Sequence, residues 1–387
     1  MSGAIRQALI LAGGKGTRLG AITQAIPKPM LRIAGEKPFL DYLIEMIERH
    51  GYEDILLLGG YLGEVLEAAY DGRRVGGATI RVLLEKAPLG TAGALTIARP
   101  TLDPRFLMMN GDAFFDINLR ALEQASREGG AMATLALRSV PDASRYGRVI
   151  ERKGKVVAFS EKDPSRPGPG IINGGVYVLK REILDLVSAL PCSLEQNVFP
   201  TLVERGQIRG KAFDGYFLDI GLPETLEQGH SELPNVRVRP AAFFDRRALV
   251  GGGAGDSGAI QWTAGAVEAI RALNDHGYYV FVMSGAGDGG RSNAAMQERL
   301  AAGGAHVDRF YSEAGFASGP LSGSAGTENP FAKAMDERPV TREKSFFIGA
   351  EASDISAARD AGLAAHRSDG GDLARLVEGL LARSAQG

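Results

Sequence analysis

Short apolar runs alternate along this chain with stretches in which apolar residues recur every three or four positions. Leu9 to Ala12 reads as a strand, and Phe39, Leu40, Leu43, Ile44 and Ile47 share one face of a helix. Ile55–Leu58, Ile80–Leu84 and Phe106–Met109 continue the rhythm as strands. Strand and helix in repetition predict an α/β fold on a mixed, mostly parallel sheet with helices on its faces. Ligands on such a sheet collect at the carboxyl ends of its strands. The rhythm stops between Gly229 and Pro240, where Pro234, Asn235 and Pro240 bracket the short segment Val236–Arg239. It restarts with a strand at Ala241–Asp245 and a helix on Ala266, Val267, Ile270 and Leu273. Strands at Tyr279–Met283 and Ser345–Ile348 follow, the latter before an alanine-rich helix. Two domains are expected, residues 1–230 and 241–387, joined by a linker at 231–240.

Composition narrows the class. The chain has 387 residues, enough for two substantial cores. A formal charge of −2 gives no general pull toward nucleic acid or an anionic membrane, and neither is expected as a partner. The one cysteine, Cys192, cannot form an internal disulfide, and no cysteine or histidine cluster has zinc-site spacing. The first apolar run is too short for a signal peptide, and no apolar stretch reaches membrane-spanning length. A cytoplasmic enzyme is expected, with a homo-oligomer as one expected assembly. Glycine is in surplus at 52 residues, of which 17 fall within 241–330.

The first strand runs into Leu11-Ala12-Gly13-Gly14-Lys15-Gly16-Thr17-Arg18. Glycines let a backbone approach a polyanion and aim its N–H groups at phosphate oxygens. Arg18 adds a planar fork suited to phosphate, and Lys28 is held between Pro27 and Pro29. Further on stand Pro88-Leu89-Gly90-Thr91-Ala92-Gly93, Asn110-Gly111-Asp112, Glu161-Lys162, Asn173-Gly174-Gly175 and Phe217-Leu218-Asp219-Ile220-Gly221. In this order the segments resemble the sugar-1-phosphate nucleotidyltransferases, notably the branches that guanylylate heptose 1-phosphate and mannose 1-phosphate.

The resemblance implies a Rossmann-like, GT-A-like domain that binds a nucleoside triphosphate and a sugar 1-phosphate. It implies catalysis by Arg18, Lys28, Asp112 and Asp219, the two aspartates holding Mg²⁺. The nucleotide would lie on Leu11, Ala12, Gly13, Gly14, Gly16, Thr17, Leu89, Gly90, Thr91 and Gly111. The sugar and its phosphate would lie on Glu161, Lys162, Asn173 and Gly174. Glu85 precedes the base-binding loop where many relatives using uridine or thymidine nucleotides have glutamine. A carboxylate only accepts hydrogen bonds, and guanine offers two neighbouring donors, so Glu85 facing the base favours GTP. The expected activity is guanylylation of D-glycero-D-manno-heptose 1-phosphate. Mannose 1-phosphate guanylylation and uridylyl or thymidylyl transfer to another hexose 1-phosphate are alternatives. A non-catalytic regulatory subunit is the rival from another class, and the intact charged residues argue against it.

Residues 241–385 resemble the haloacid dehalogenase superfamily, chiefly through Phe243-Phe244-Asp245-Arg246 and Ser353-Asp354-Ile355-Ser356. That implies a second, Rossmannoid α/β domain. Its phosphatase machinery is incomplete: Asp245, Ser284 and Asp354 remain, but an acid/base aspartate is replaced by Arg247 and a metal-binding aspartate by Ala350. An arginine cannot shuttle protons. A hydrolytically inert domain is therefore expected, with a bifunctional transferase and phosphatase as the alternative. Arg247 is either an anion contact or a surface arginine with no ligand.

Overall fold

The computed structural model describes residues 3–160, 165, 167–250, 260–284, 290–312 and 329–384, with backbone alone for 290–292 and 312. The chain divides into two compact units: Ile5–Pro234, and Asn235–Gly387 together with Met1–Ala4. No helix among the described residues is long and apolar enough to cross a membrane.

In the first unit the strands are β1 (Gln7–Leu11), β2 (Arg32–Ile33), β3 (Lys37–Pro38), β4 (Asp54–Gly59), β5 (Arg74–Val75), β6 (Ala78–Leu84) and β7 (Arg105–Asn110). They continue as β8 (Ala113–Phe115), β9 (Ala133–Val140), β10 (Arg148–Arg152), β11 (Lys155–Ser160), β12 (Gly170–Lys180), β13 (Ile208–Ala212) and β14 (Phe217–Asp219). The helices are α1 (Phe39–Arg49), α2 (Gly63–Tyr70), α3 (Gly90–Ala98), α4 (Leu119–Gly129), α5 (Phe199–Glu204) and α6 (Pro223–Val236).

Ten strands form one sheet in the order β10-β11-β13-β9-β12-β7-β1-β4-β6-β5. Its centre, β7-β1-β4-β6, is parallel. Beyond it β12 runs antiparallel to both β7 and β9, and β10, β11 and β13 are joined antiparallel. The sheet is thus mixed and not mostly parallel. Parallel neighbours need a crossover, whereas the β10–β11 hairpin turns on Lys153-Gly154, both at positive φ. Apolar residues of β1 and β4, including Leu9, Ile10, Leu56 and Leu57, are fully buried, as strands covered on both faces require.

α1 follows Pro38 and ends at Gly51, whose φ of 76° and N–H bond to the Glu48 carbonyl stop the helix. α4 begins where the Asn118 side chain accepts the N–H groups of Arg120 and Ala121. Arg120 is buried beside Glu123, lies 4.0 Å over the Tyr52 ring, and donates to the Ile5 carbonyl at 2.8 Å. The start of β1 is thereby tied to α4. The expected linker at 231–240 is helical in its first part: residues 231–236 continue α6, with Pro234 inside the helix, and the two units divide at Pro234/Asn235.

The second unit carries β15 (Ala241–Asp245), β16 (Tyr279–Ser284), β17 (Arg309–Ser312), β18 (Phe346–Gly349) and β19 (Ala364–Arg367). They form a parallel sheet in the order β17-β16-β15-β18-β19. Around it lie α7 (Arg246–Leu249), α8 (Ala266–Asp275), α9 (Gly290–Ala302), α10 (Pro330–Glu337), α11 (Ala352–Asp360) and α12 (Leu373–Ser384). Separate cores fill its two faces, one around Phe244, Ile270 and Val282 and the other around Phe243, Phe281 and Phe331.

Candidate active site

A cleft of about 760 Å³ opens at the carboxyl ends of β1, β4, β6 and β7. It is lined by Leu11 to Lys15, Lys28, Gly60, Tyr61, Glu85, Gly90, Thr91 and Asn110 to Asp112, among others. The loops that form it are stitched by backbone. Ala12 donates to the Leu58 carbonyl, Tyr61 to that of Gly13, and Gly111 to that of Leu11.

The glycines of these loops serve two ends. A Cβ on Gly111 would stand 2.4 Å from the Leu11 carbonyl oxygen, and one on Gly90 would stand 2.5 Å from that of Cys192. A Cβ on Gly13 would meet Glu85 Oε1 at 2.8 Å. Close approach of protein atoms therefore explains these three. Gly14 has open space around it, so the lack of a side chain there leaves room for whatever enters the cleft. Gly16 takes φ +60° and starts the short 3₁₀ segment on which exposed Thr17 and Arg18 sit.

Glu85 follows β6 and faces the cleft. Its Oε2 accepts the Leu89 N–H at 3.1 Å, and its Oε1 lies against Gly13 and Gly60. Thr91 also lines the cleft, but its hydroxyl is engaged, donating to Glu195 Oε2 and accepting the Leu194 N–H.

At one end of the cleft the charged residues converge. Short strands β8 and β14 pair antiparallel with Ala113 opposite Asp219, and Ile220 donates to the Asp112 carbonyl. This brings together two carboxylates distant in sequence. Buried Lys28 donates to Asp112 Oδ2 at 2.7 Å and stands 4.0 Å from Asp219 Oδ1. The position a Cβ would take on Gly221 is 2.7 Å from Asp219 Oδ1, 3.3 Å from Arg18 Nη2 and 3.4 Å from Lys28 Nζ. Arg18, Lys28 and Asp219 thus share one small volume. Burial first, then the charge of Asp112, raises the Asp219 carboxyl above its ordinary pKa; Lys28, the Gly221 N–H and Arg18 oppose the rise.

Two oxygen-donor groups whose charge is only partly neutralised fit a hard divalent cation. Among the described residues no group of three or more acidic, histidine or cysteine side chains would hold a metal alone. The remaining ligands would have to be substrate or water.

Gly174 and Asn173 lie on β12, where a Cβ on Gly174 would collide with the Phe115 ring at 2.5 Å. Glu161 and Lys162 lie outside the described residues. Sequence reasoning missed Gly60, Tyr61 and Tyr146. The Gly59-Gly60 pair closing the apolar run of β4 was a usable signal. Tyr146 had none: its ring packs edge-on to Phe217 at 5.8 Å, and its hydroxyl is pushed up by burial and then by Asp219.

In the second unit Asp245 ends β15, Ser284 ends the neighbouring β16, Ala350 follows β18, and Asp354 lies in α11. Arg247 Nε donates to Asp245 at 3.0 Å and its Nη2 to Asp354 Oδ2 at 2.7 Å. Both carboxylates are buried. Arg247 is a surface arginine whose guanidinium bridges the two buried carboxylates. The glycines at 251–253, 285, 287, 289, 323 and 326 lie outside the described residues.

Known proteins resemble the first unit. The D-glycero-alpha-D-manno-heptose 1-phosphate guanylyltransferase of Aneurinibacillus thermoaerophilus is 36% identical over 59% of this chain and 98% of its own length. The mannose-1-phosphate guanyltransferase of Yarrowia lipolytica is 34% identical over 57% of this chain and 62% of its own. The crystal structure of HddC from Yersinia pseudotuberculosis complexed with GMP-PN matches at a TM-score of 0.53 and 30% identity, over 59% of this chain and all of that one. The nucleotidyl transferase family model matches residues 7–235, more than half of the chain, and the chain belongs to that family.

Proposed function

We propose that the first unit joins GTP to D-glycero-D-manno-heptose 1-phosphate, giving the nucleoside-diphosphate sugar and pyrophosphate. The observation that carries the transfer is the convergence of Arg18, Lys28, Asp112 and Asp219 at one end of a glycine-walled cleft. An oxygen of the sugar phosphate attacks the α-phosphorus; the bond from that phosphorus to the bridging oxygen breaks, and its electron pair leaves with pyrophosphate. Charge spreads over the transferring group and the leaving oxygens, so positioning and positive charge carry the catalysis.

Arg18 and Lys28 supply that charge. Lys28 is fixed by its bond to Asp112 and by the prolines on either side, so its ammonium needs no reorganisation as the reaction proceeds. Asp112 and Asp219 would hold Mg²⁺, which when bound neutralises phosphate charge and orients the triphosphate. Gly14 gives the phosphates room at the backbone. Lys162 and Glu161 would receive the sugar phosphate and the sugar hydroxyls.

Glu85 supports guanine, since its carboxylate lies in the cleft wall and can accept from neighbouring donors on the base. The heptose reading rests on the relatives named for that substrate. A matrix of the four nucleoside triphosphates against heptose, mannose and glucose 1-phosphates, read by pyrophosphate release, tests both. GTP with heptose 1-phosphate is expected to rank first; UTP or dTTP above GTP would overturn the base assignment.

The second unit reads as a haloacid dehalogenase-like domain without hydrolytic activity. Arg247 is bonded to both Asp245 and Asp354 and, unlike an aspartate at that position, cannot shuttle a proton for them.

A further inference from the structure

We propose that Tyr177 is a positioning residue that fixes Asn173 and, through the Gly175 bulge that Asn173 caps beside Asn110, couples the sugar-phosphate side of the site to the floor of the nucleotide cleft. The inference rests on the transferase reading above.

The argument begins with strand register. Tyr177 lies opposite Leu135 of β9 and Asn173 opposite Leu137, so four steps along β12 match two along β9. The excess forms a bulge at Gly174-Gly175. Gly175 takes φ +75°, and Gly174 lacks the Cβ that would strike Phe115. The bulge turns Asn173 back upon its own strand. Its Oδ1 accepts the Gly175 N–H at 3.1 Å, and its Nδ2 donates to the Tyr177 hydroxyl at 2.7 Å.

Asn110 is the last residue of β7 and part of the cleft lining. Its Nδ2 stands 3.1 Å from where a Gly175 Cβ would lie, so it reaches the bulge from the other side. Tyr177 itself is fully buried, its ring centroid 5.7 Å from that of Phe199. Phenylalanine would fill that space equally well. A buried hydroxyl is costly without a partner, and here it accepts from the Asn173 amide, whose carbonyl end fixes the bulge beside Asn110.

The test is Tyr177→Phe in the full chain, with initial rates of pyrophosphate release measured while each substrate is varied. The KM for sugar 1-phosphate is expected to rise about three- to tenfold, the loss from one hydrogen bond, with a smaller change in the KM for nucleoside triphosphate. In an Asn173→Ala background Tyr177→Phe should add nothing. An unchanged KM for the sugar phosphate, or the same added factor in that background, overturns the inference. Should Tyr177→Phe not fold, the Asn110→Ala and Asn173→Ala pair reads the same coupling: non-additive effects support it and additive ones overturn it. Silence in the unmodified protein defeats the transferase reading and the inference with it. An active unmodified protein that Tyr177→Phe leaves unaltered defeats the inference alone.

Discussion

Asp219 is charged against its surroundings. A carboxyl whose folded-state pKa is raised binds its proton more tightly folded than unfolded. Its contribution to stability is therefore full below the ordinary value of 3.8 and is lost as pH rises through the raised one. Asp219→Asn removes that penalty. Without divalent cation the variant should melt higher than the unmodified protein at neutral pH, by about 2–4 °C for each kcal/mol relieved, with the difference closing on acidification. The same variant, and Asp112→Asn, should lose about 10²-fold or more in pyrophosphate release. Near-normal turnover in both would remove the aspartates from the mechanism. Glu85→Gln is expected to lower the ratio of kcat/KM for GTP over UTP by about tenfold, since one acceptor becomes a donor. An unchanged ratio sinks its role in base choice. These residues were legible in sequence because each stands in a short motif at a strand end. Tyr177 was not: its partner Asn173 is turned back to it by a bulge.

Among the elements, α3 shows how a site loop is built from packing. Ala92 and Gly93 donate to the Cys192 carbonyl, and Gly90 at φ +77° lets that carbonyl close in. Gly90→Ala meets both a backbone penalty and a collision, so it should cost about 1–3 kcal/mol. Thermal melting should fall accordingly, with an accompanying rise in the KM for nucleoside triphosphate. A variant as stable as the unmodified protein would refute this account. Strand positions were visible from apolar runs, as at β1, β4 and β7. The antiparallel strands β10 and β11 were not, because they alternate buried with exposed residues and lack the continuous apolar runs of the buried parallel strands. The helical continuation through 231–236 was likewise hidden, since Pro234 reads locally as a break.

At the scale of the molecule, two α/β units retain unlike charge patterns. In the first, Lys28 bonds Asp112, which lines a cleft, and stands 4.0 Å from Asp219. In the second, Arg247 spans Asp245 and Asp354, and Asp354 is fully buried. Residues 241–387 within the full chain are expected to release no phosphate from heptose bisphosphate; turnover abolished by Asp245→Asn would restore the bifunctional reading. The glycine surplus was visible from composition, but its causes were not. Gly90 and Gly111 answer to carbonyl oxygens that only the folded chain brings near.

The bridge made by Arg247 also works as a counter-ion. Exchanging it for an acid, as in Arg247→Asp, removes the guanidinium and sets a third negative group beside two buried ones. Such a change weakens the junction between β15 and α11, which that bridge ties together. The Arg247→Asp protein should melt below the unmodified one and recover when a divalent cation is added, whereas the unmodified protein should be indifferent to that addition in this unit. Charge balance in this unit is thus a dependency: without the guanidinium, an outside cation must take over the work of one side chain.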